Sequence, residues 1–197
     1  MDPVEPKESS QISAASVQAS VKLAVVSVFS ALIAVGTILS IPLPAPLYEI
    51  TWAPAVYLAL SALSDRWTAF SATAIGGFIG ETFNVAFKGG GSPIYPFGIV
   101  WARAPEALIV GWAAKKGTRW LIASMVIATV FETVAFFVSD ALFYTYGLFQ
   151  YGSPESLYSG IVAASPDFFT MIDLAYIPIA LAIIYAARPA FRRLGFR

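Results

Sequence analysis

The sequence predicts an all-α integral membrane protein, a bundle of six transmembrane helices with both termini in the cytoplasm. Three observations carry this. Of 197 residues, 58% are hydrophobic and only 12% charged, about half the charge of a typical soluble domain. Mean hydropathy is +0.73, and a chain this short leaves too much of its area exposed to hide such a surface from water. Six apolar runs, each near the roughly 20 residues that a span requires, are separated by proline, glycine or basic residues, and the basic residues gather at one set of run ends.

Residues 1–20 are polar and acidic, with Asp2, Glu5 and Glu8 against Lys7. A secretory signal opens with basic residues and an early apolar run, so this stretch is expected to be a short disordered cytoplasmic tail. Residues 21–197 then form the six-helix transmembrane domain. The first run, 21–41, stops at Pro42-Leu43-Pro44-Ala45-Pro46, since each proline lacks a donor and restricts its predecessor. The second, 47–64, carries Glu49 and Pro54 near its start, which places its membrane helix at 53–64. The third, 67–87, ends in the turn signal Lys88-Gly89-Gly90-Gly91-Ser92-Pro93. The fourth, 95–114, ends at Lys115-Lys116-Gly117, and the fifth spans 120–146. A polar loop, 147–166, leads to the sixth, 167–187.

Lys7, Lys22, Arg66, Lys115, Lys116, Arg119, Arg188, Arg192, Arg193 and Arg197 all fall on one side, against Lys88 on the other. The positive-inside rule puts that side in the cytoplasm. Trp67, Trp112 and Trp120 flank the basic loops, where an interfacial aromatic belt belongs. A plasma-membrane location and a lipid partner follow.

Several chemistries are excluded. There are no cysteines and no histidines, which removes disulfides, thiolate nucleophiles, imidazole catalysis, the usual zinc sites and imidazole capture of cobalt or nickel. No metal or cofactor is expected. No G-x-x-x-x-G-K-[ST] occurs, so the chain does not hydrolyse ATP through a P-loop, and neither G-x-S-x-G nor H-E-x-x-H is present. With zero net charge and no basic cluster interleaved with aromatics, nucleic acid is not a partner.

Six ionisable residues fall inside the runs: Glu81, Arg103, Glu106, Glu132, Asp140 and Asp173. Each costs roughly 2.5–3.5 kcal/mol at bilayer depth on insertion scales. Five acids face one base, and all lie at the midplane or toward the outside, which describes an outward-facing cup. At 100° per residue, Glu132, Phe136, Ser139, Asp140 and Phe143 share one face of the fifth helix. Glu81, Asn84 and Lys88 share a face of the third. Arg103 and Glu106, three apart, can pair within the fourth, with Pro105 expected to kink it. Trp52, Tyr95, Trp101, Tyr144 and Tyr176, at the same level, can stack on a flat ring or a cation. The bland alternative for these acids is protonated structural hydrogen bonding. The first helix carries small residues at Ser27, Ala31 and Ala34, a stripe that lets another helix approach closely, and Gly76-x-x-x-Gly80 in the third is expected to serve internal packing.

Length, six spans and several local runs together resemble the substrate-binding S components of energy-coupling factor (ECF) transporters. Those runs are Ser27-x-x-x-Ala31, the proline-rich loop ending Glu49-Ile50-Thr51-Trp52, Leu60-Ser61-Ala62-Leu63-Ser64-Asp65-Arg66-Trp67, and Gly76-Gly77-Phe78-Ile79-Gly80-Glu81. The resemblance covers residues 21–197; the family's first-helix motif has alanine at both ends, and Ser27 stands in the first place here. It implies a subunit that captures a vitamin or precursor in its outer half. Such a subunit docks through the first helix on a transmembrane coupling protein carrying two cytoplasmic ATPases. The surplus of acids points to a cationic or amine-bearing heterocycle, such as thiamine or its pyrimidine, although the tryptophan-rich loop of thiamine binders is missing. A queuosine-type purine precursor is a second candidate. Two other functions stay open: a stand-alone proton-coupled transporter using Glu106 and Glu132, and a membrane enzyme or assembly subunit.

Overall fold

The computed structural model describes residues 6–43, 49–88, 92–149, 154 and 156–196. Residues 1–5 of the expected tail, 44–48 of the proline-spaced loop, the 89–91 glycine turn and 150–153 of the polar loop lie outside them. The chain forms α1 (Pro6–Ile38), α2 (Ala53–Leu63), α3 (Arg66–Phe83), α4 (Tyr95–Arg103), α5 (Glu106–Ala113), α6 (Thr118–Thr145), α7 (Leu157–Ala164) and α8 (Ile177–Arg193). A π-helical turn, Asn84–Lys88, extends α3, and a 3-10 stretch, Ser165–Tyr176, leads into α8. Among the described residues, extended pairing is limited to β1 (Ile41–Pro42) with β2 (Glu49–Ile50), antiparallel, closing the loop after α1.

Two expectations change. Residues 6–20, read as a disordered tail, are helical as the start of α1. Proline suits a first helical position, and no glycine or second proline follows until Gly36. The polar loop of 147–166 contains α7, which Ser156 initiates by accepting the Ser159 amide at 3.1 Å, a side-chain cap of the usual kind.

Ala15–Ile38, Thr118–Thr145 and the continuous Leu157–Arg193 are long and apolar enough to cross a membrane. Their outer faces are apolar: Leu23, Val28 and Val35 on α1 and Ile127, Val134 and Val138 on α6 are about half exposed or more. A soluble monomer seldom exposes continuous apolar surface on this scale, whereas lipid solvates it. The chain has the build of a membrane protein. By contrast α2, apolar but for Tyr57 and Ser61, sits at the centre, against α1, α5 and α8, and only Val56 and Ala62 of its 11 residues escape full burial.

Lipid tails are as apolar as leucine, so close approach must hold α1 to α3. Gly76 and Gly80 provide it. A Cβ on Gly76 would lie 2.5 Å from the Ser30 carbonyl oxygen, and one on Gly80 would lie 2.6 Å from the Thr37 Cβ. Ser30 Oγ adds a hydrogen bond to the Ala72 carbonyl at 3.2 Å. The π turn then serves α1's C-terminal end, whose last carbonyls lack helical partners. Asn84 Nδ2 donates to the Thr37 carbonyl at 3.3 Å, and the Lys88 ammonium donates to the Ile38 carbonyl and to Ser40 Oγ.

At the opposite end Asp65 caps α3, accepting the Trp67 and Thr68 amides at 3.2 and 3.1 Å and the Thr68 hydroxyl at 2.6 Å. Burial alone would push its carboxyl up. The hydrogen bonds from Thr68, with the Lys22 ammonium 3.2 Å away, outweigh that and hold it below the usual range.

Gly76→Ala should lower thermal stability in detergent by about 1–3 kcal/mol, the usual cost of forcing a methyl into a closed contact. Gly98→Ala, whose Cβ would meet only a Phe143 ring atom at 4.0 Å, should be tolerated. Equal losses would show that α1 and α3 are not packed through Gly76.

Candidate functional site

Glu132 is the polar centre of the bundle. Its Oε1 accepts Arg103 Nε at 2.7 Å, with the two side chains 0% and 11% exposed, and its Oε2 accepts the Tyr57 hydroxyl at 3.2 Å. One carboxylate therefore ties α6 to α4 and to α2. Arg103 lies 5.7 Å from the Phe136 ring centroid, and Tyr95 stacks on the same ring at 6.2 Å.

The Arg103–Glu106 pair that the spacing allows does not form. Pro105 has no N–H to continue the ladder, so α4 ends at Arg103 and α5 starts afresh at Glu106. Arg103 turns instead to α6. Glu106 is fully buried and neither of its oxygens makes a well-formed hydrogen bond, although the Tyr57 hydroxyl is at hand. Glu106, Glu132 and Asp173 interact electrostatically with one another. Three carboxylates thus share one guanidinium.

The 3-10 stretch brings the sixth run to this centre. At 3.0 residues per turn, side chains three apart eclipse, so Asp167, Thr170, Asp173 and Tyr176 line one face. In an α-helix the same four would fan through half a turn. The ladder meets α6 rung by rung. Asp173 interacts with Glu132, the Thr170 and Thr133 hydroxyls are 2.7 Å apart, and Asp167 interacts with Asp140. Tyr176 packs edge-on against Trp52, with centroids 5.9 Å apart. Asp140 is 1% exposed with neither oxygen bonded.

The predicted residues therefore divide. Arg103, Glu106, Glu132, Asp173 and Tyr176 gather at the centre, with Trp52, half exposed, against Tyr176 at its margin and Tyr95 stacked on Phe136 beside it. Asp140 stands two turns along α6 with Asp167. Trp101 and Tyr144 join another aromatic cluster, around Phe143 and Phe149. Asn84 is occupied with α1 and, at 3.4 Å, with Glu81, so Asn84 helps hold α1 to the end of α3. On α1, Ser27 and Ala31 are exposed while Ala34 is buried against Gly80. Sequence reasoning missed Tyr57, Asp167, Thr133 and Thr170. Tyr57 had a signal, as the one long polar side chain inside an otherwise apolar helix. Among the described residues no three ligating side chains are disposed to hold a metal ion.

Three long apolar helices fit a membrane protein, and the bundle encloses a buried, acid-rich polar centre. No protein-family model matches the chain, and comparison with curated proteins and with solved structures finds no significant match.

Arg103→Gln and Glu132→Gln should each destabilise the protein by about 3–5 kcal/mol, because each strands the other member of a buried pair. The double substitution should cost less than the sum of the two. Additive losses in thermal unfolding would show that the two side chains act independently.

Proposed function

We propose that the chain is the membrane-embedded capture subunit of an ATP-driven micronutrient importer of the ECF kind. On this reading the bundle crosses the membrane six times with both ends cytoplasmic. The spans are α1, α2, α3 with its π turn, α4 with α5, α6, and the 3-10 stretch with α8. The observation that carries the reading is the surplus of buried carboxylate at the centre. Glu132 is neutralised by Arg103, while Glu106 and Asp173 have no second cation among the described residues. An unpaired charge in low dielectric is costly, and a positively charged ligand relieves it.

The ligand is accordingly a cationic or amine-bearing heterocycle of vitamin size, in the class of thiamine or its pyrimidine. Glu106 and Asp173 meet its positive group, Trp52 and Tyr176 meet its ring, and Arg103 with Tyr57 keeps Glu132 in place. The exposed Ser27 and Ala31 on α1 offer a small-residue face to a transmembrane coupling subunit that carries two cytoplasmic ATPases. The lack of a P-loop in this chain suits that division of labour. A second reading, a stand-alone proton-coupled transporter of a small metabolite such as a queuosine-type precursor, is favoured by one feature. Glu106 is fully buried with no well-formed hydrogen bond, as a proton carrier would be.

Titration of the purified protein with thiamine and with its aminopyrimidine should give saturable binding for one of them. Glu106→Gln and Asp173→Asn should weaken it by roughly ten- to a hundredfold, the worth of a charge-assisted hydrogen bond. Trp112→Ala, at the basic end, should leave it unchanged. Unaltered affinity in both acid variants would move the site elsewhere. Uptake in cells that continues without any ATPase and collapses with an uncoupler would favour the second reading.

A further inference from the structure

We propose that a cleft at the basic end of the bundle binds the phosphate headgroup of an anionic phospholipid. The cleft, about 350 Å³, lies between the first half of α1, the α2–α3 turn, α5 and the end of α8, and Lys22, Lys115, Arg188 and Arg192 line it. Its one acid, Asp65, is already engaged. It accepts the Trp67 and Thr68 amides and the Thr68 hydroxyl, and it pairs with Lys22 at 3.2 Å. No carboxylate among the described residues is within ion-pair distance of Lys115, Arg188 or Arg192. Three cations therefore line one concavity with no carboxylate among the described residues to pair with them, and the Arg188 guanidinium also lies 5.8 Å from the Tyr185 ring centroid.

The surroundings select the kind of anion. Phe196, 8% exposed, lines the cleft and packs on Phe191 at 5.6 Å between ring centroids, so a cationic rim stands over an apolar floor. Trp67, Trp112, Trp120 and Tyr185, each more than half exposed, cluster at the same end, where amphipathic rings mark headgroup depth. A basic pocket between spanning helices at that depth fits an amphiphile with a phosphate better than a soluble anion. The inference does not use the polar centre and stands whatever ligand that centre takes.

The test uses the full chain, stripped of lipid in neutral detergent. Short-chain phosphatidylglycerol, phosphatidylcholine and inorganic phosphate are titrated separately, with thermal unfolding and native mass spectrometry as readouts. Phosphatidylglycerol should raise the unfolding temperature and stay bound, at lower concentration than phosphatidylcholine. Lys115→Gln and Arg192→Gln should each weaken it by about fivefold, the effect of one basic side chain near an anionic headgroup. Arg119→Gln and Arg193→Gln, at the same end but outside the cleft, should not. Equal binding of the two lipids by the unaltered protein would overturn the proposal, as would equal losses in both pairs of variants. Inorganic phosphate stabilising as well as phosphatidylglycerol would overturn the lipid assignment in favour of a soluble anion.

Discussion

A carboxylate buried where water cannot reach must be answered by its neighbours, and Glu132 is answered from two directions. Arg103 reaches it from α4 and Tyr57 from α2. In lipid the hydrophobic effect does not press one helix against another, so the bundle is held by contacts of this kind and by close backbone approach. The Gly76 and Gly80 seam against α1 supplies the second. The centrality of α2 follows, since its apolar surface is shared among helices tied by other means and its single long polar side chain is spent on Glu132.

The site depends on departures from regular helix. The break at Pro105 releases Arg103 from its sequence neighbour and aims it at α6. The π turn after Phe83 turns Asn84 and Lys88 onto the open end of α1. The 3-10 stretch, far longer than the three or four residues at which such helices usually stop, stacks Asp167, Thr170, Asp173 and Tyr176 into one column. Each irregularity begins or ends near a proline or glycine, at Pro105, Gly89, Pro166 and Pro178. The chain thus uses its backbone breakers to gather polar side chains that regular helices would scatter.

Much of this was legible in the sequence. The apolar run with Glu49 and Pro54 near its start located α2 to within a residue, and the buried face of α6 through Glu132, Phe136, Ser139, Asp140 and Phe143 followed from a 100° step. The glycine seam was legible as internal packing. Two of the misreadings share a cause. Pairing Arg103 with Glu106, and leaving Asp167 out of the site, both assumed regular α-helix where the backbone is broken or wound tighter. Residues 6–20 were misjudged because their polarity was weighed above their freedom from helix breakers. Placing the charges at one membrane level did not show which would meet, since Asn84 and Lys88 are drawn to unsatisfied carbonyls that a sequence does not display.

Identification of small molecules that co-purify with the protein from its native membrane tests the central claim most directly. The account predicts a positively charged or amine-bearing heterocycle, retained by the unaltered chain and depleted when Glu106 and Asp173 are both made neutral. Recovery of an anionic metabolite, or of the same compound in equal amount from the doubly neutral protein, would contradict a cation seat at the Glu132 centre.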